Sequence, residues 1–312
     1  MRIALVLTPP TARHLKWAAQ IGATDFVSRY EAVSTPEKLR DECTRVENFG
    51  LKLSVVEGYI PLNDVICGGK NRDAQIENVQ RLIEAMGRNG VGVLCYNWMP
   101  HDDWTRTDFE VPTRGGALTN EFDLTDLKGH FAPAAQRLGA EKLWENLEYF
   151  LRAVSPVAEK SNVKLAMHPD DPPLRELLGS AQIMHEPDDF ERLFQMFPSP
   201  SNGMCLCGGT FSSLGKDVAA LVRRFGERIH YAHFRDVRGT VPHFVETFHD
   251  DGQQNMAAIM RAYRDINFSG PMRPDHVPQM DGETGAADGY SVLGRLFAAG
   301  YLRGLMDAVS SE

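Results

Sequence analysis

A chain of 312 residues that is 43% hydrophobic can bury a full core, and a barrel of roughly 250 residues plus insertions accounts for its length without a second unit. Its 33 lysines and arginines against 42 acidic residues, net −9, form no basic block; this argues against a phosphate-binding face and a nucleic-acid partner. The five apolar residues Ile3 to Leu7 are too few for a secretory core, no stretch approaches transmembrane length, and five irregularly spaced cysteines (Cys43, Cys67, Cys95, Cys205, Cys207) read as reduced thiols of a cytoplasmic protein.

In chain order, Arg2 to Leu7 is a first apolar run and Asp25 to Ser28 a weak second. Leu51 to Glu57 and Val91 to Tyr96 are strands by their β-branched and apolar content. Val163 to Met167, Gly203 to Leu206, Ile229 to Ala232 and Gly270 to Arg273 complete a set of eight. Amphipathic helices lie between. Arg72 to Arg88 aligns Ile76, Val79, Leu82, Ile83 and Met86 on one face, and Glu141 to Lys160 aligns Leu143, Leu147, Phe150, Leu151, Val154 and Val157. Strand–helix alternation over the whole chain implies a parallel sheet, and eight units close into a (β/α)₈ TIM barrel more naturally than they form an open doubly wound sheet. The expectation is one barrel over 1–312 with loop insertions at about 100–137 and 169–187, both at the end of the barrel where active sites lie. The tail after Ala308 is expected to fray.

Four metal-ligand residue types stand at strand ends: His168, Cys207, His233 and Asp275. A lone strand-end histidine is more often structural and a lone buried cysteine inert, but four at equivalent positions of a barrel converge on one end of the axis. Cys205 shares a face with Cys207, which is nearer the Gly208-Gly209 turn; His230 and His233 cannot both face the axis. His276, beside Asp275, is a candidate acid–base partner. Asn97 and Arg106, in polar and aromatic stretches after the fourth strand, are candidates to line a sugar site, though Trp98 and Trp104 equally suit the barrel rim. Arg235 and Arg273 flank proposed ligands and suit bidentate capture of a carboxylate. Neither Gly68-Gly69 nor Gly208-Gly209 is a phosphate fingerprint.

The stretches Cys95-Tyr-Asn-Trp-Met-Pro, Asp103-Trp-Thr-Arg-Thr-Asp, His168-Pro-Asp-Asp-Pro-Pro, Cys207-Gly-Gly-Thr, His233-Phe-Arg, Phe248-His-Asp-Asp-Gly, Met272-Arg-Pro-Asp-His and Gly289-Tyr-Ser-Val-Leu-Gly-Arg occur in this order. In them the chain resembles the metal-dependent mannonate dehydratases, a family of xylose-isomerase-like TIM barrels in hexuronate (glucuronate) catabolism. The resemblance implies that His168, Cys207, His233 and Asp275 hold one divalent metal, Mn²⁺ first, with Fe²⁺, Co²⁺, Mg²⁺ or Zn²⁺ as alternatives. It also implies that His276 and Tyr290 transfer protons. The family's Arg-Trp-Tyr-Gly start is absent from Met1 to Pro10, Val277 replaces a glycine, and the stretch from Gly179 to Ile183 lacks the family's Pro-Arg. The metal and acid–base positions are kept while parts of the substrate pocket have changed.

The implied reaction removes the proton beside an aldonate's carboxylate and expels the next hydroxyl, giving a 2-keto-3-deoxy acid. A metal offsets the enediolate charge, one group takes the proton and another protonates the leaving hydroxyl. Tyr290 is assigned as base and His276 as acid. A tyrosine of ordinary pKa about 10 needs a metal or an arginine nearby for this. The carboxylate falls to Arg273 or Arg106. The expected partner is a small sugar acid, with no nucleic acid and no membrane, and the expected assembly is a homo-oligomer, dimer or tetramer. The rival readings are an isomerase or epimerase on the same barrel, a DNA-repair endonuclease disfavoured by charge, and a catalytically silent sugar-acid binder.

Overall fold

The structure is a computed structural model describing residues 1–101, 104–284 and 289–312. Its centre is a closed, parallel eight-stranded barrel: β1 (Arg2–Leu5), β2 (Asp25–Ser28), β3 (Lys52–Glu57), β4 (Val93–Tyr96), β5 (Lys164–Met167), β6 (Asn202–Cys207), β7 (Ile229–Phe234) and β8 (Pro271–Pro274). Each strand pairs with its chain neighbours, and β8 returns to β1. Closure leaves the barrel with no exposed edge. A helix follows every strand, so the alternation seen in the sequence is the architecture.

The two faces of the strands explain the apolar runs. Inward residues are small: Ala4, Val6, Val27, Val55, Val93, Cys95, Ala166 and Cys205 fill the interior with Tyr231. Outward residues such as Leu53, Leu94, Leu165, Leu206 and Met272 pack on the surrounding helices. Strands buried on both faces read as nearly continuous hydrophobic runs. Helix Arg72–Arg88 buries the predicted Ile76, Val79, Leu82, Ile83 and Met86. Helix Ala140–Lys160 buries Leu143, Leu147, Phe150, Leu151 and Val154. Local signals set the helix starts: Thr11 and Thr35 accept hydrogen bonds from the free amides of His14 and Lys38, and Pro36 opens its helix where no amide is required.

The differences from expectation lie at strand ends and in the insertions. β6 and β7 run on to Cys207 and Phe234, so Cys207 and His233 are strand residues rather than residues beyond a strand. The polar insertion at about 100–137 is not plain loop. Strands Asp108–Pro112 and Leu118–Asp123 form a hairpin that joins a second hairpin, Val237–Thr240 and His243–Glu246, in a four-stranded antiparallel sheet over the barrel mouth. Its underside is apolar: Phe122, Phe244, Val237, Met99 and Leu177 pack together. The Gly115-Gly116 pair between two β-rich runs was the available cue, since both glycines turn at positive φ of 69° and 82°. The insertion at 169–187 likewise holds a two-residue ladder, Glu176–Leu177 with Ser180–Ala181. The last helix continues to Ser310, past the point where fraying was expected.

Candidate active site

Four donor side chains meet at the C-terminal mouth. His168 follows β5 by one residue, Cys207 ends β6, His233 lies in β7, and Asp275 follows β8 by one residue. The parallel register sets Cys207 beside His233 and His233 beside Arg273. All four candidates are buried, and one donor atom from each lies within 4.8 Å of the others. His168 Nε2 is 3.1 Å from His233 Nδ1, which is 3.4 Å from Asp275 Oδ2; Cys207 Sγ is 3.8 Å from the same oxygen.

Hydrogen bonds fix which ring nitrogens face the cluster. His168 Nδ1 lies 2.7 Å from the Pro169 carbonyl, so it donates there and leaves Nε2 with its lone pair toward the cluster. His233 turns Nδ1 toward His168 and Asp275, while its Nε2 accepts from Arg273 Nε at 3.1 Å and lies 3.4 Å from Glu57 Oε2. His233 Nδ1–H donates to His168 Nε2 at 3.1 Å, and a divalent cation would take the place of that proton. Two imidazoles, a thiol and a carboxylate suit a divalent transition metal. Burial alone would raise the Asp275 carboxyl, but Arg273, His276 and His233 hold it well below the usual carboxylate range.

Cys205 lies deeper in the barrel, grouped with Cys95 and His233. Burial, and then Cys95 beside it, push its thiol well up and keep it protonated. His230 has the opposite strand parity to His233, and its Nδ1 meets the Leu165 carbonyl at 2.9 Å.

His276 and Tyr290 lie on the wall of the same cavity as the donor cluster, ring centroids 5.5 Å apart. The His276 ring packs on Trp104 at 4.6 Å, and its Nδ1 is 3.0 Å from Glu246 Oε1. Burial, against the pull of Asp275 and Glu246, lowers its pKa. Arg29 and Arg295 each lie over the Tyr290 ring, 4.9 and 4.7 Å from its centroid. Arg295 is fully buried, and burial followed by the charge of Arg273 brings it down to about 10.

The predicted substrate-binding residues divide. Asn97 and Arg273 line the cavity; Arg106 and Arg235 are not among its lining residues. Arg106 pairs with Asp171 at 2.8 Å and with Glu246. Arg235 meets Glu246 at 2.9 Å and Asp275 Oδ2 at 2.8 Å, and also pairs with Asp171. Arg273 clamps Asp275 Oδ1 at 2.6 Å and pairs with Glu57. The carboxylate partners of these arginines thus come from the chain itself. Asp103, from one of the matched motifs, lies outside the described residues.

Sequence reading passed over Arg29, Glu57, Asp171 and Glu246. The first two end or follow β2 and β3, and a charge closing a buried strand was a usable signal. Asp171 sat inside a proline-rich turn motif. Glu246 gave no signal, because its place depends on a hairpin read as loop.

Fold and site together define a TIM barrel with four donor side chains at its mouth that could hold a metal. Solved structures with this fold include an L-ribulose 3-epimerase, at TM-score 0.63 and 12% identity over 99% of this chain and 96% of that one. The family model for D-mannonate dehydratase (UxuA) matches residues 18–132 and 124–312, and the chain belongs to that family. It is 35% identical to mannonate dehydratase 2 of Halalkalibacterium halodurans, covering 88% of each chain. It is 34% identical to the mannonate dehydratase of Oceanobacillus iheyensis, over 90% of this chain and 87% of that one. The crystal structure of the mannonate dehydratase of Streptococcus suis serotype 2 superposes at TM-score 0.92 with 32% identity, over 100% of this chain and 95% of that one.

Proposed function

We propose that the protein is a hydro-lyase that converts D-mannonate, or a related aldonate, into 2-keto-3-deoxy-D-gluconate and water. The observation that carries this reading is that His276 and Tyr290, ring centroids 5.5 Å apart, share one cavity with His168, His233 and Asp275 of the four-donor cluster. Family membership supports it.

His168, Cys207, His233 and Asp275 would hold the metal, Mn²⁺ first, with Fe²⁺, Co²⁺, Mg²⁺ or Zn²⁺ as the other candidates. When bound, it supplies positive charge that stabilises the electron-rich enediolate. Tyr290 takes the C2 proton, and Arg29 and Arg295 over its ring offset negative charge on the phenol oxygen. As the C2–H electrons form the C2–C3 double bond, the C3–O bond breaks. His276, as the imidazolium with its Nδ1–H held on Glu246, gives the departing hydroxyl its Nε2 proton, and water leaves. The resulting enol tautomerises to the 2-keto-3-deoxy acid. Glu246 holds the His276 ring through Nδ1, leaving Nε2 as the nitrogen that can serve the substrate. The four donors and His276 are buried, which strengthens each of these charge interactions.

The setting follows. All five cysteines are unpaired, which suits the reducing cytoplasm and a role in glucuronate breakdown. Among the described residues no helix is long and apolar enough to cross a membrane. A homo-oligomer, dimer or tetramer, completes the reading, and light scattering on the purified protein tests it. For the reaction, the metal-reconstituted protein is incubated with D-mannonate and a panel of other aldonates. Loss of one water in the product mass, with a 2-keto-3-deoxy acid, supports the hydro-lyase. A product of unchanged mass means an isomerase or epimerase, and an aldonate bound but never altered means a silent binder.

A further inference from the structure

We propose that Arg29 grips the substrate's carboxylate; this rests on the hydro-lyase reading above. The arginines expected to do so are committed elsewhere. The side chains of Arg106 and Arg235 are 0% exposed and that of Arg273 is 1%, each locked onto two or more of the chain's own carboxylates. Arg29 lines the cavity and its side chain keeps 18% exposure. Its Nη1 meets Glu57 Oε1 at 3.1 Å, but Glu57 is shared with Arg273 and with the Tyr231 hydroxyl. One carboxylate therefore serves two guanidiniums. A guanidinium carries five N–H donors; Glu57 and Tyr290 each take one, which leaves donors for a carboxylate.

Two further observations point the same way. Gly58 sits at φ +77°, and a Cβ there would come within 2.9 Å of Arg29 Nη1, so the glycine makes room for the guanidinium at the wall. The order of groups also matches the order of reacting carbons. Arg29 lies 4.9 Å from the Tyr290 ring, and Tyr290 lies 5.5 Å from His276. In an aldonate the carboxylate is C1, the proton leaves C2 and the hydroxyl leaves C3. A residue that holds C1 must stand beside the base, and Arg29 stands beside Tyr290.

The test compares Arg29→Met and Arg29→Lys with the wild type, all metal-loaded. The expected result is a KM for D-mannonate raised about 10- to 100-fold by methionine and less by lysine, with metal content changed little and kcat lowered as well, because Arg29 also lies over the Tyr290 ring. Binding is then read without turnover in a Tyr290→Phe background, using D-mannonate and its uncharged amide, D-mannonamide. Arg29→Met should weaken the acid by the same factor and leave the amide nearly unchanged. A merely structural role would weaken both equally, and that outcome overturns the proposal, as does an unaltered KM and affinity for the acid. If Arg29→Met fails to fold, the lysine variant carries the same comparison. If the protein turns over no aldonate but still binds D-mannonate through Arg29, the hydro-lyase reading falls and the carboxylate grip stands.

Discussion

Glu246 Oε1 lies 3.0 Å from His276 Nδ1, joining a glutamate from the rim sheet to a histidine at the end of β8. The same carboxylate pairs with Arg106 and Arg235. Burial alone would raise its pKa, but Arg235, Arg106 and His276 hold it well below the usual range. Glu246→Gln keeps the shape and removes the charge. We expect kcat to fall about 10- to 100-fold with KM changed little, as for other residues that orient a working group. Two buried guanidiniums would lose part of their compensation, so unfolding should become about 3 kcal/mol easier, measured by denaturant titration.

His276→Ala and Tyr290→Phe test the division of labour. Neither side chain belongs to the four-donor cluster, although both line its cavity. Each variant should lose about 10²- to 10⁴-fold in turnover while binding metal as well as the wild type. Elemental analysis showing a metal-free variant would overturn the separation of metal-holding from proton-moving residues.

The two cysteines of β6 should behave oppositely. Cys207→Ser should strip the site of metal, because Cys207 Sγ faces Asp275 at 3.8 Å. Cys205→Ser should keep metal and instead lose about 1–3 kcal/mol of stability, because it places a hydroxyl in a barrel interior of Val55, Val93 and Ala166. Metal content and melting temperature with and without chelator separate the two. Loss of metal from Cys205→Ser alone would reverse the choice of thiolate.

Acid should weaken the fold through His230. Burial, partly opposed by its hydrogen bond to the Leu165 carbonyl, lowers its pKa to about 4. In the unfolded chain the value is about 6.5, so below that pH the unfolded state takes up the proton first. Stability from this residue is complete above pH about 6.5 and is lost as the pH falls toward 4, by roughly 2–3 kcal/mol. His230→Gln should flatten that part of the stability–pH profile.

Gly209→Ala tests the fit behind the metal site. A Cβ there would come within van der Waals overlap of the Arg235 guanidinium, which is buried and tied to three carboxylates. Because the arginine has nowhere to swing, the variant should be destabilised by about 2–4 kcal/mol and lose activity. A melting temperature equal to that of the wild type would show that the packing yields.

The order of residues by itself determined the barrel and the four metal-ligating candidates, while the candidate proton-moving pair rested on the family resemblance. Period-two and helical patterns are local, and a strand end in a parallel barrel has only one place to go, so His168, Cys207, His233 and Asp275 were legible before any coordinates. Strand ends were legible only to within two residues, because β6 and β7 are held at their ends by each other rather than by local propensity. Charge partnership was not legible at all. Arg106 and Arg235 read as carboxylate binders, and only the closed barrel shows that Asp171 and Glu246, 65 and 140 residues from Arg106, already occupy its guanidinium. A guanidinium's role depends on which carboxylate reaches it first in space, and that is set by two hairpins crossing the barrel mouth. For the same reason the tertiary structure, and not the sequence, picked out Arg29, which lines the cavity with Arg273 but pairs with Glu57 alone among the described carboxylates.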